Sequence, residues 1–221
     1  IKMTIVLNEP TLSFLIKQAY RNYGFVSAFI YGPQGVGKTT YGLKVLYYVY
    51  GSWDLALKYT FFDLDSTKRI LEQAFNNNRR IKAILLDDVG TWLIKYSWHR
   101  NPSIWFSKLY NMIRSVCSGV IFTSVEVSDI IKFIRDKVVY RVSVNKVSPD
   151  TSLAIGYKVN TLPSLDQYVE RVFEDEFGLT LPSYVRTYYE MKRREALSSL
   201  FKAKKEGSLK QVEEAIFSIE A

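Results

Sequence analysis

The chain has 221 residues, enough to bury a full hydrophobic core, and we expect one domain with a modest extension. Hydrophobic residues make up 48% and charged residues 24%, which excludes a disordered tail, and no apolar run reaches the roughly 18 to 20 residues that a membrane span needs. The net charge of +8 suggests an anionic partner, either nucleic acid or an acidic membrane surface.

Two further features predict a cytoplasmic location. The single cysteine, Cys117, cannot form an internal disulfide, which fits a reducing compartment. The first residues, "IKMTIVLNEP", lack the basic-then-apolar layout of a signal peptide.

Predicted helices and strands alternate along the first 147 residues. The spacing of apolar residues predicts helices over residues 11–24, 38–51, 66–75, 103–116 and 126–137, and short apolar runs predict strands over 25–31, 59–65, 82–88, 119–124 and 138–147. This alternation is typical of a mostly parallel sheet covered on both faces, and it predicts a three-layer α/β/α fold.

The pattern changes after residue 147. "TSLAIGYKV" (151–159) is predicted to return as an antiparallel partner of the preceding strand, which gives a β-hairpin at the sheet edge. The remainder is predicted to be helical: "SLDQYVERVFEDEFG" (164–178), a basic stretch over 182–205, and "SLKQVEEAIFSIE" (208–220). We therefore expect an α/β core over residues 1–160 and a C-terminal helical extension over 161–221.

The most specific pattern is "YGPQGVGKTT", which fits the phosphate-binding consensus G-x-x-x-x-G-K-[ST] without deviation. Its glycines allow a tight turn whose N–H groups converge on a β-phosphate at the start of a helix. The lysine would reach the β- and γ-phosphates, and the hydroxyl of Thr39 would ligate Mg²⁺. The sequence thus predicts an ATP and Mg²⁺ site with Gly32, Pro33, Gln34, Gly35, Val36, Gly37, Lys38, Thr39 and Thr40.

A pair of carboxylates supports this prediction. "AILLDD" is an apolar strand that ends in Asp87 and Asp88, so both side chains should lie at the carboxyl edge of the sheet beside the glycine loop. Asp87 would hold the metal. Asp88 would orient or deprotonate the attacking water.

With these motifs, residues 25 to about 146 resemble the P-loop ATPases of the AAA+ and related additional-strand class. "YTFFDLDSTKRILEQAF" occupies the place of the further strand and helix, and "LLDDVG" is most similar to helicase loaders, replication initiators and ATPases of archaeal viruses and plasmids. The resemblance implies a polar sensor at Thr123, or else Ser124. It also implies an arginine finger, for which Arg135 is the first candidate and Arg141 and Arg114 are weaker ones.

The resemblance further implies a ring or filament with sites between subunits, and a helicase or another replication protein as partner. The sequence departs from that family at Asp88, where glutamate is usual, and in the C-terminal lid, which is not recognisable. Arg186, Arg193 and Arg194 are the candidates for a second sensor.

Two segments could contact DNA. Seven lysines and arginines lie between residues 192 and 210, after the aromatic run "PSYVRTYYEMKRR". "TWLIKYSWHRNPSIW" (91–105) follows the acidic pair directly. The basic stretch could equally be a helix face that packs on the core or on a partner. The tryptophan-rich segment could instead contact a neighbouring subunit or simply pack, and His99 is expected to be an ordinary loop residue.

Three functions fit a phosphate-binding loop. We expect an oligomeric ATPase that acts on DNA in replication initiation, helicase loading, translocation or packaging, in a virus or another mobile element. A nucleoside or nucleotide kinase is the alternative, with Asp63 or Asp65 as catalytic acid. A GTPase is disfavoured because "NKVS" (145–148) has serine where guanine recognition needs a carboxylate.

Overall fold

A computed structural model of the protein describes residues 9–92, 110–126, 132–164 and 166–198. The chain divides into two units, residues 1–181 and residues 182–221. Much of the tryptophan-rich segment and the predicted helix over 208–220 lie outside the described residues, as do Lys202, Lys204, Lys205 and Lys210 of the basic stretch.

The first unit begins with alternating helices and strands. These are α1 (Thr11–Arg21), β1 (Val26–Tyr31), α2 (Lys38–Tyr50), α3 (Trp53–Lys58), β2 (Thr60–Phe61), α4 (Leu64–Asn76), β3 (Ile84–Leu86) and α5 (Val89–Trp92). Helical residues 110–116 (α6), β4 (Gly119–Thr123) and α7 (Lys132–Lys137) follow, and the unit ends with β5 (Tyr140–Ser148), β6 (Thr151–Thr161) and β7 (Gln167–Gly178).

All seven strands form one sheet in the order β2-β3-β4-β1-β5-β6-β7. The first five strands of this order are parallel to one another, whereas β6 and β7 are antiparallel to their neighbours. The predicted α/β fold with a mostly parallel sheet is therefore confirmed. Because β4 pairs with both β1 and β3, it separates the strand that leads into the glycine loop from the strand that leads into the acidic pair.

The central strands are short apolar runs because both of their faces are covered. Every residue of β3 and β4 is buried, as are the first five residues of β1. Cys117, just before β4, is also buried, with its thiol donating a hydrogen bond to the carbonyl of Gly119 at 3.0 Å. Burial raises the pKa of this thiol to about 12.

The strand predicted over residues 59–65 is much shorter than expected. β2 covers only Thr60 and Phe61. The carboxylate of Asp63 accepts a hydrogen bond from the N–H of Ser66 at 2.7 Å and so caps the start of α4. The capping residue is the second one after the strand, and α4 begins at the next residue.

The helix predicted over residues 164–178 is wrong, because residues 167–178 form the edge strand β7. Along the second half of β7 the side chains of Phe173 and Phe177 are buried, and Gly156 on β6 leaves room for the ring of Phe173. The predicted edge hairpin of β5 and β6 is present, but β7 extends it to three antiparallel strands. The predicted core boundary at residue 160 consequently falls inside β6.

In the second unit, residues 183–198 are helical (α8), within the stretch predicted to be helical over 182–205. Among the residues that the structure describes, no helix combines the length and the apolar character that crossing a membrane requires.

Candidate functional site

The glycine loop connects the end of β1 to the start of α2 and depends on three unusual backbone conformations. Gly32, Gly35 and Gly37 have φ of 148°, 78° and 94°, values that residues with a Cβ rarely adopt. Space is restricted as well: a Cβ on Gly32 would collide with the carbonyl oxygen of Val144 on β5, and one on Gly37 would collide with the side chain of Leu179.

The loop presents backbone donors at a helix start. The N–H of Gly32 donates to the carbonyl of Val125 at 3.2 Å. Within the described part of the chain, by contrast, no acceptor is found for the backbone N–H groups of Gly35, Gly37 or Lys38. Since these groups precede or begin α2, they lie at the positive end of its dipole. The predicted loop residues 32–40 all lie on this one turn and the first turn of α2.

Lys38 folds back over the loop. Its ammonium donates hydrogen bonds to the carbonyls of Gly32 and Pro33, both at 2.8 Å, and only 8% of the residue is exposed. Burial lowers the pKa of Lys38, and the negative charges of Asp88 and Asp87 partly offset this effect. The lysine is thus held at the loop by neutral acceptors that a stronger anionic acceptor could replace.

Asp87 lies directly beside the loop, at the carboxyl end of β3. Its fully buried carboxylate accepts a hydrogen bond from the Thr39 hydroxyl, at 3.0 Å to Oδ1 and 3.2 Å to Oδ2. The Thr123 hydroxyl, at the end of β4, donates to Oδ1 at 2.6 Å. Two hydroxyls, one from α2 and one from the end of β4, therefore donate to the carboxylate that follows β3.

Asp88 is held next to Asp87 by its backbone. Its φ of 49° is unusual for a residue other than glycine, and its N–H donates to the Thr123 hydroxyl oxygen at 2.9 Å. Its carbonyl accepts hydrogen bonds from Thr91 in the first turn of α5. Thr123 therefore contacts both aspartates. Ser124, the other sensor candidate, donates its backbone N–H to the carbonyl of Ile30 at 3.1 Å.

The available donor set is made of oxygen atoms. The Thr39 hydroxyl and the Asp87 carboxylate are hard ligands of the kind that Mg²⁺ prefers. Within the described ranges, no group of three or more histidine, cysteine, aspartate or glutamate side chains could enclose a metal ion. A magnesium ion here would therefore need phosphate or water oxygens to complete its coordination.

Sequence reasoning missed the residues that support the loop from the antiparallel strands. The Ser152 hydroxyl on β6 donates to the Val36 carbonyl at 2.8 Å, across 116 residues of sequence. Leu179 and Phe177 pack on Gly37, and the buried Lys44 of α2 donates to the carbonyl of Gly178 at 2.5 Å. No local pattern could reveal these contacts, since they depend on the register of β6 and β7.

Arg114, Arg135 and Arg141, the predicted arginine residues of the first unit, take no part in the hydrogen bonds that the described residues form in this cluster. Arg135 is on α7, partly exposed, and its carbonyl accepts a hydrogen bond from Arg141 at 3.2 Å. Arg114 is exposed on α6. Among the described residues, no hydrogen bond or ion pair joins Arg135 to the loop or to the aspartates. Arg186, Arg193 and Arg194 lie on α8, and His99 is outside the described residues.

Comparison with known proteins identifies relatives in archaeal viruses. No family profile matches the chain. The chain is 36% identical over 195 residues to the uncharacterized protein B-251 of Sulfolobus spindle-shape virus 1, covering 81% of this chain and 78% of that protein. It is 28% identical over 165 residues to the uncharacterized protein ORF286 of Acidianus two-tailed virus, covering 72% of this chain but only 57% of ORF286. At that level of identity and coverage, the chain belongs to the same protein family as B-251 of Sulfolobus spindle-shape virus 1.

Proposed function

We propose that this protein is a Mg²⁺-dependent ATPase whose glycine loop binds the triphosphate of ATP. The observation that carries the proposal is the hydrogen bond between Thr39 and Asp87, at 3.0 Å. These residues belong to two separate sequence motifs, and a phosphate-binding site requires both of them at one metal ion. The position of β4 between β1 and β3 supports the same class of ATPase, whereas the segment assigned from sequence to the further strand forms β2 at the edge of the sheet.

The residues present fit a bound nucleotide. Loop N–H groups and the positive end of α2 would bind phosphate oxygens, and Lys38 would exchange its two carbonyl acceptors for charged ones. Thr39 and Asp87 would hold Mg²⁺, which would neutralise charge on the phosphate oxygens during hydrolysis. Asp88 would accept a hydrogen bond from the attacking water and draw away its proton. Thr123 would keep the two carboxylates in their relative positions.

The test is ATP turnover by the full chain and its Lys38→Ala variant. We expect the variant to lose roughly 100-fold or more of its activity, because a charged phosphate donor is removed. Lys68→Ala is the matched control, since Lys68 is exposed and forms a surface ion pair with Glu72 at 3.6 Å, and it should hydrolyse ATP like the parent. Lack of ATP binding by the parent, or equal activity of all three proteins, would refute the proposal.

We further propose that the ATPase acts on DNA as a ring or filament, in a virus. Both relatives are virus-encoded proteins, and the net charge of +8 favours an anionic partner. A helicase or another replication protein would be its protein partner. The test of the action on DNA is ATP turnover measured with single-stranded DNA, with double-stranded DNA and without DNA. An ATPase that acts on DNA should hydrolyse ATP faster when the DNA is present.

Arg135 is proposed to complete the site of a neighbouring subunit. The residue is partly exposed and is held on α7, whose end is fixed to β5 through Arg141. Arg135→Ala should abolish hydrolysis while leaving nucleotide affinity unchanged, as measured by turnover and by binding of a fluorescent ATP analogue. Equal losses of turnover and of nucleotide affinity would contradict this role of Arg135.

The kinase alternative has less support. Asp63, one of its two candidate acids, caps the start of α4 through the N–H of Ser66 and so has a structural role. Incubation with radiolabelled ATP and a panel of nucleosides and nucleotides distinguishes the functions. An ATPase should release inorganic phosphate, whereas a kinase would transfer the label to an acceptor.

A further inference from the structure

A second candidate site lies at the edge of the sheet opposite the glycine loop. It is a cavity of about 270 Å³ formed by the ends of α1, α2 and α4 and by the residues just before β2 and β3. Because α2 starts in the glycine loop and ends in this cavity at Tyr50, the two sites are separated by the length of that helix, roughly 20 Å for its 13 residues.

The cavity is strongly basic. Its lining includes four cationic side chains and no acidic one: Lys58, Arg79, Arg80 and Lys82. No ion pair joins any of them to a carboxylate in the described part of the chain. Arg80 donates from Nη2 to the carbonyl of Gly24, but its buried Nη1 has no hydrogen-bond acceptor among the described residues. Unpaired cations in a concave site favour an anionic ligand.

Aromatic rings lie among these cations. Tyr50 and Tyr59 stack with ring centroids 4.8 Å apart, and the Tyr50 hydroxyl is anchored by hydrogen bonds to the backbone of Ala83. The Lys82 ammonium lies 5.9 Å and 5.8 Å from the ring centroids of Tyr20 and Tyr50. These separations are close to the limit of a cation–π contact, about 6 Å, so a phosphate could displace the lysine from the rings.

The size and exposure of the cavity suit one segment of an extended ligand. Its volume of about 270 Å³ is close to the lower end of the range for small-molecule pockets, about 300–1,000 Å³, so it would hold a ligand portion no larger than a small molecule. Several residues of its rim, among them Lys58, Asn77 and Arg79, are exposed and could follow a ligand over the surface. Single-stranded nucleic acid is recognised by cations that contact its phosphates and by aromatic rings that stack on its unpaired bases. The cavity has both, and the amides of Gln73 and Asn77 could hydrogen-bond to base edges.

We propose that this cavity binds single-stranded nucleic acid. The cavity would be the surface that contacts DNA in the proposed function, and to that extent this inference rests on that function. Binding itself needs neither ATP nor Mg²⁺, so it is measured without them. The Lys38→Ala variant should bind nucleic acid like the parent, which separates failure of this proposal from failure of the ATPase proposal.

The experiment is fluorescence anisotropy of a labelled oligothymidylate of about 16 nucleotides, long enough to cross such a site. The test variant is Lys58→Ala/Arg79→Ala, and the control is Lys68→Ala/Arg69→Ala, which removes the same charge from exposed positions of α4 outside the cavity. We expect about a 10-fold or greater loss of affinity for the test variant and a salt slope smaller by about 1.4, since two phosphate contacts are lost. The control should bind like the parent.

A further variant, Tyr59→Leu, tests base stacking and should weaken binding with an unchanged salt slope. A labelled RNA strand of the same length shows whether the sugar matters. Equal binding by parent and Lys58→Ala/Arg79→Ala would overturn the proposal, as would an equal loss in the control variant. Complete displacement of the strand by a mononucleotide, or equal affinity for a duplex, would also overturn it.

Discussion

The hydroxyl of Thr123 forms two hydrogen bonds, one with each aspartate of the acidic pair. It donates to Oδ1 of Asp87 at 2.6 Å and accepts from the N–H of Asp88 at 2.9 Å. The first contact is buried and the second is partly buried, so removing the hydroxyl would leave one carboxylate oxygen and one backbone donor without this partner. We therefore regard Thr123 as a positioning residue for the acidic pair.

Thr123→Val should lower the turnover number by roughly 10- to 100-fold, because it removes a hydrogen-bond partner of Asp87, the proposed metal ligand. The Michaelis constant for ATP should change little, since the loop donors remain. Thr123→Ser keeps the hydroxyl and should restore most of the activity. Steady-state kinetics of the two variants give the answer, and a serine variant as poor as the valine variant would contradict this role.

Much of this candidate site could be predicted from sequence because its residues belong to local motifs. The glycines, Lys38 and Thr39 lie within eight residues, and Asp87 and Asp88 end an apolar strand. The support from Ser152 and Leu179 could not be predicted, since a serine and a leucine carry no signal of a partner more than 100 residues away. The left-handed backbone conformation of Asp88 could not be predicted from the sequence either.

Among the secondary-structure elements, β7 shows how a strand can be mistaken for a helix. Val169, Val172, Phe173 and Phe177 recur at helical spacing, although the same segment also alternates as a strand does. Pairing with β6 decides the outcome, because the ring of Phe173 fits over Gly156 directly opposite it. Tyr168, Val169 and Val172 stay 44–50% exposed on the edge strand, so the helical spacing of apolar residues did not reflect burial.

Gly156→Ala should destabilise the β6–β7 pair, since a Cβ at this position would collide with the Phe173 ring. We expect a loss of about 1–3 kcal/mol in the free energy of unfolding, the usual cost of overpacking. Urea denaturation measures it. The double variant Gly156→Ala/Phe173→Leu makes room for the methyl group and should be more stable than Gly156→Ala/Phe177→Leu, in which the collision remains. Equal stability of the two double variants would contradict this packing.

In the first unit, the last strand, β7, is joined by hydrogen bonds to the first helix, α1. The Asp175 carboxylate on β7 accepts hydrogen bonds from the N–H and hydroxyl of Thr11, at 2.9 Å and 2.7 Å, across 164 residues. The buried Tyr41 of α2 donates to the same carboxylate at 2.5 Å, and burial, together with this neighbouring charge, raises the pKa of the tyrosine. Removal of β7 would therefore leave polar groups of α1 and α2 without partners.

A chain that ends at residue 181 should unfold cooperatively, whereas one that ends at residue 160 should not. The longer chain keeps all of the first unit, but the shorter one lacks β7, Asp175 and the residues that pack on Gly37. Circular dichroism during urea titration distinguishes them. A sharp transition of the shorter chain, with the same midpoint as the longer one, would show that β7 is dispensable.

The distance along the chain between the glycine loop and its supports has a consequence for biosynthesis. Ser152 is made 116 residues after Val36, and Leu179 follows later still. At about 5–20 residues per second, the ribosome would need on the order of 10 s to supply them. During that interval the newly made loop lacks the contacts that hold it, so the loop of a nascent polypeptide would reach its final conformation only after Ser152 and Leu179 have been made.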